Sequence, residues 1–99
     1  MGQPVVIFSD NGISRVVPDH RVADKREEIT FMTINTAATI MIPNAGRFED
    51  GSNVAHIPEG GRAVFIVDDT NPGVYPYAVF CEETNNFAVG NSSPDLIVY

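Results

Sequence analysis

Cysteine, histidine and positive charge are all scarce in this chain, and each scarcity excludes something. The single cysteine, Cys81, cannot close an internal disulfide, so no covalent framework organises the fold. The two histidines, His20 and His56, have no second imidazole at ligand spacing, which removes the zinc motifs. Six Lys and Arg residues against thirteen Asp and Glu give a net charge of −7. Phosphate-tracking surfaces need clustered cations, so no nucleic-acid partner is expected. The longest apolar runs, such as Ala63 to Val67, fall far short of the ~20 residues that span a bilayer, and no membrane insertion is expected. The opening MGQPVVIF carries no basic stretch ahead of an apolar one, which argues against a signal peptide. The expectation is a cytoplasmic protein, or a periplasmic one if a leader has been removed. Met1-Gly2 starts a myristoylation pattern, but Val6 stands where that pattern needs Ser or Thr.

What is present is strand-forming sequence. With 99 residues, 43% hydrophobic and 19% charged, the chain suits one domain over residues 1–99 and is too apolar for disorder. Val5 to Phe8 stops at Ser9-Asp10-Asn11-Gly12, and Asn-Gly is the dipeptide of a tight hairpin because both residues tolerate positive φ. Ile13 to Val17 follows and is closed by Pro18. The charged stretch from Pro18 to Glu28 has too few apolar residues for a helix with a buried face, so a short edge strand over Arg21 to Ala23 and a solvated turn are expected. From Ile29 to Asn35, Ile29, Phe31 and Thr33 alternate with Thr30, Met32 and Ile34. Both faces are apolar, which reads as a central strand covered on both sides.

Thr39 to Ile42 resumes as strand and Asn44 to Asn53 reads as a loop, with Phe48 tucked over one end of the core. Val54 to Ile57 and Arg62 to Val67 are further strands, the latter placing Ala63, Phe65 and Val67 on one face. A strand from Gly73 to Cys81 and a last one over Leu96 to Tyr99 complete seven to eight, all β with no long helix. Exposed edges near Val22 or Val98 offer places where two copies pair, and the oligomeric state stays open.

The segments INTAAT, IPEGG, PGVYPYAVFC and SSPDLIVY, within Ile29 to Tyr99, resemble the cupredoxins, small Greek-key β-sandwiches that hold blue copper. The resemblance implies that fold and places a copper-ligand cysteine at Cys81. It puts Thr39, or a neighbour, at the first histidine ligand and Thr84 at the second. No methionine follows Met41, and Phe87, Ala88 and Val89 offer no axial thioether. A type 1 site needs a thiolate, two imidazoles and usually that thioether. The resemblance therefore implies the sandwich with its copper site lost, and no cofactor is expected.

Other chemistry is thinly supported. Glu82 and Glu83 disfavour a thiolate at Cys81, and no histidine lies near it in sequence to serve as base. The acidic pairs Glu49-Asp50, Asp68-Asp69 and Glu82-Glu83 lack the alternating spacing of a calcium loop and read as turn charges. Gly60-Gly61 and Gly90 to Ser93 precede no helix and so cradle no phosphate. No enzyme is expected. The leading expectation is a non-catalytic module binding a protein or small molecule, with Asn85, Asn86, Asn91, Ser92 and Ser93 as hydrogen-bonding candidates. The alternative is a copper carrier or chaperone using Cys81.

Overall fold

The computed structural model describes residues 3–68, 72–82, 86–87 and 94–99, the pair 86–87 as backbone. Their strands are β1 (Val5–Asp10), β2 (Ile13–Val17), β3 (His20–Ala23), β4 (Glu28–Ile34), β5 (Ala38–Met41) and β6 (Gly46–Phe48). The chain continues with β7 (Val54–Ile57), β8 (Arg62–Val67), β9 (Gly73–Pro76), β10 (Ala78–Cys81), β11 (Asn86–Phe87) and β12 (Asp95–Val98). They form a five-stranded sheet, β2-β1-β4-β8-β6, a four-stranded sheet, β11-β10-β5-β7, and a three-stranded sheet, β3-β12-β9. The smaller two face the larger across one core.

The Asn-Gly signal behaves as expected. Asn11 and Gly12 both have positive φ, and Asp10 and Ile13 face one another across the resulting two-residue turn. Next to it, β1 and β4 run parallel, and Asn35 prolongs their pairing beyond Ile34. Its Oδ1 accepts the Ser9 N–H at 2.9 Å and its Nδ2 donates to the Ser9 carbonyl at 3.0 Å.

Among the described residues twelve strands stand where seven to eight were expected, because the chain switches sheets at corners. At Pro18 it leaves β2 in the large sheet and enters β3 in the three-stranded one. At Tyr77, whose N–H donates to the Pro94 carbonyl at 2.9 Å, the Gly73–Cys81 run divides into β9 and β10. A short strand, β6, also forms inside the expected loop. Its Gly46 lies so close to the Ile66 carbonyl that no Cβ fits.

The alternation seen in the sequence builds the core. Ile29, Phe31, Phe65 and Val67 of the large sheet meet Ile40, Ile57, Val79 and Leu96 of the others, all fully or nearly fully buried. Phe31 meets Tyr77 edge-on at 5.7 Å between centroids, tying the layers together, while Phe48 lies against Phe65 at 5.0 Å. The edge strand at β3 is as expected, whereas the Val98 strand is no edge: β12 is flanked by β3 and β9. β4 is central in its sheet, yet among the described residues only its inner face is fully covered: Thr30 and Met32 on the outer face are half-buried and Ile34 is 53% exposed.

Candidate functional site

Two rows of side chains across β10 and its neighbours decide what the Cys81 end can do. Across the four-stranded sheet, Ile57, Ala38 and Cys81 share one row, and all three side chains are fully buried. The next row, His56, Thr39 and Phe80, points to the other side. Successive side chains on a strand alternate faces, so one residue of register moves a group from core to solvent. Hence Ala38, and not Thr39, occupies Cys81's face at the position the resemblance gives to a histidine. A methyl group stands opposite the thiol.

Thr39 does something else. Its hydroxyl lies 3.1 Å from His56 Nδ1, and His56 Nε2 lies 3.5 Å from Glu82 Oε1. Carboxylate, imidazole and hydroxyl thus line up on the exposed face of the sheet. Strand pairing assembles this row from three distant parts of the chain, and no spacing in the sequence foreshadows it. The arrangement resembles a nucleophile relay, and among the described residues no oxyanion donor joins it. β5 lies between β10 and β7, which commits its backbone N–H groups to ladders and leaves none to stabilise an oxyanion beside Thr39. A shallow cleft of about 260 Å³ beside His56, bordered by Phe48, Glu49 and Arg62, has mixed polarity.

His20 is also exposed, on β3. Its Nδ1 sits 2.8 Å from Asp95 Oδ1 and its Nε2 3.9 Å from Asp19 Oδ2. The hydrogen bond and charge of Asp95, then the charge of Asp19, raise its pKa above the usual histidine value. Arg21, on the expected edge strand, is buried. It donates to the Gln3 carbonyl at 2.8 Å, to the Val22 carbonyl, and to Glu27 Oε2 at 2.6 Å. Burial opposes ionisation of Glu27, but the Asp24 N–H and the Arg21 guanidinium together hold its pKa below the usual value.

Burial pushes the Tyr77 phenol strongly up, and its hydroxyl has no hydrogen-bond partner among the described residues. Asp50 caps its own turn by accepting from the Ser52 N–H and hydroxyl, and Asp68 lies 3.4 Å from Arg47, in keeping with turn charges. Among the described residues, no three of His, Cys, Asp and Glu come together as a metal cluster. Asp69, Glu83, Thr84, Asn85, Ala88, Val89, Gly90, Asn91, Ser92 and Ser93 lie outside the described residues, as do the side chains of Asn86 and Phe87.

No family model and no curated protein matches this sequence. Solved structures do. Plastocyanin from Dryopteris crassirhizoma, in its oxidised form, is 16% identical with a TM-score of 0.56, over 98% of this chain and 100% of that one. A mutant of amicyanin, in a reduced Cu(I) form, is 9% identical with a TM-score of 0.54, over 100% of this chain and 85% of the other. A copper-binding protein in its apo form is 15% identical with a TM-score of 0.53, over 100% and 98%. The chain therefore has the cupredoxin-like fold, a Greek-key β-sandwich. At these identities the likeness carries the architecture and no function.

Proposed function

We propose that this chain is a non-catalytic binding module, a cupredoxin-like sandwich that works without copper. The observation that carries the reading is the row Ile57, Ala38, Cys81, in which the thiol faces a methyl group. The donors of this chain do not fit a type 1 copper centre. His56 lies on the opposite face of the sheet from Cys81, and His20 belongs to a different sheet. Met32 and Met41 also point outward, away from the core that holds the thiol. A lone thiolate does not supply the imidazoles that hold copper in trigonal array. The exposed Glu82, His56 and Thr39 row, with the backbone of β5 committed to its two neighbours and no oxyanion donor beside it among the described residues, supports the non-catalytic half of the reading.

The competing reading, a copper carrier or chaperone, draws on Cys81 standing in the strand where the resemblance places a copper ligand. Its full burial speaks against handing an ion to a partner. Equilibrium dialysis of the reduced protein against copper, beside a Cys81→Ala variant, tests both. We expect equal, substoichiometric copper in the two proteins. One copper per chain that disappears with Cys81→Ala would sink the proposal.

A further inference from the structure

The five-stranded sheet is apolar on both sides, although among the described residues only one side is covered by another layer. Its outward face carries Val17, Val6 and Met32 in one row, with Phe8 beside Ile34 in the next. Val64 lies opposite Thr30, and Ile66 lies between Glu28 and Arg47. Val17 is 49% exposed and Ile13, at the end of β2, 40%. A sheet with one solvated side ordinarily shows mostly polar residues there, whereas here Arg15, Thr30 and Arg62 are outnumbered by Val6, Phe8, Val17, Met32, Ile34, Val64 and Ile66. The rim is charged. Arg15 lies 3.4 Å from Asp10, Arg47 lies 3.4 Å from Asp68, and Arg62 and Glu28 flank the β4–β8 pair. An apolar centre containing Met and Phe, with arginines around it, has the composition of a protein interface.

We propose that this face is the interface of a symmetric dimer of the chain. Charge balance selects the partner. The rim holds three of the six cations and three of the thirteen acids, so two copies meeting here bring no net charge together. Approach through the remaining, strongly acidic surface brings like charges together. Size is adequate too. Five strands ~4.8 Å apart, of five, six, seven, six and three residues at ~3.3 Å each, give a flat footprint of ~430 Å². Side chains in relief raise the accessible area of each copy toward the ~600 Å² per partner at the lower end of specific interfaces. Face-to-face packing of twisted sheets ~10 Å apart is an established way for two such surfaces to close. A dimer of this size dissociates on dilution.

The inference rests on the reading of the chain as a binding module, and the two fail separately. Sedimentation analysis of the full chain, from low micromolar to high concentration, tests it. We expect the mass to rise toward twice that of the monomer. Ile34→Lys and Val17→Lys abolish the rise with unchanged circular dichroism, since both positions are already half exposed. Val74→Lys, on the exposed face of the three-stranded sheet, leaves it intact. A wild-type chain that stays monomeric throughout, or a dimer that loses its mass only with Val74→Lys, overturns the proposal. A monomer without copper leaves the binding-module reading in place, whereas stoichiometric copper removes that reading whatever the mass.

Discussion

The Cys81 end of the four-stranded sheet and the outward face of the five-stranded sheet depart from expectation in opposite directions. At the first, the strand, its alternation and its cysteine are all present, but the residue facing the thiol is Ala38. Packing is served by that arrangement, because a small buried thiol fills the core much as an apolar group does. At the second, the fold asks for nothing apolar outside β1, β4 and β8, yet Phe8, Met32, Ile34, Val64 and Ile66 are there. Core stability explains the first region and leaves the second unexplained. The difference teaches where to look for function: at the surface whose composition the monomer does not need.

That contrast breaks most visibly on β4, where neighbouring residues face opposite ways. Phe31→Ala, in the core against Tyr77 and Phe48, is expected to cost about 3–5 kcal/mol in urea unfolding. Met32→Ala, one residue on and facing outward, is expected to cost less than about 1 kcal/mol when the protein is dilute. Similar losses at both positions would mean that the outer face is covered within the single chain. The buried polar cluster should respond next. Arg21→Met removes the donor to Glu27, and the expected loss is about 2 kcal/mol. That lies below the figure for a fully buried pair because the Glu27 side chain stays 20% exposed.

A smaller effect of the opposite sign is expected at Tyr77. Tyr77→Phe keeps the ring against Phe31 and removes a buried hydroxyl that has no partner among the described residues. A gain of about 1 kcal/mol in chemical unfolding is expected, and a loss would reveal a bond to that hydroxyl. The smallest effect belongs to His20. Its pKa is raised in the folded state, so the stability it contributes is fully present below the unfolded value of about 6.5. That contribution disappears as pH rises through the higher folded value. Thermal melts across this window should show a decline in the wild type that is absent in Asp95→Asn, where the hydrogen-bonded charge is gone.

Much of the fold was legible because period-two alternation records burial. Ile29, Phe31 and Thr33 were placed on one face of a strand, and Ala63, Phe65 and Val67 on one face of another, and all six point inward. The hairpin at Asn11-Gly12 was legible for a different reason, since its backbone geometry is chemically selective. What escaped was information held between strands. An apolar outer face on β4 looks the same in sequence whether a layer covers it or not. The choice between Ala38 and Thr39 opposite Cys81 is a one-residue register, fixed by the pairing of β5 with β10. The meeting of Thr39, His56 and Glu82 follows from pairing across three strands. The burial of Arg21 was not legible, because the carbonyls and the carboxylate that hold it come from Gln3, Val22 and Glu27, a set that only the folded chain assembles.

The proposal that this cupredoxin-like sandwich works without copper rests on Cys81 facing Ala38 across β10 and β5. Stepwise titration of the fully reduced chain with Cu(I) and then Cu(II), followed by visible absorption, tests it most directly. No intense thiolate-to-copper band and no stoichiometric end point is expected with either ion. A strong blue band at one copper per chain would show Cys81 acting as a ligand and would contradict it.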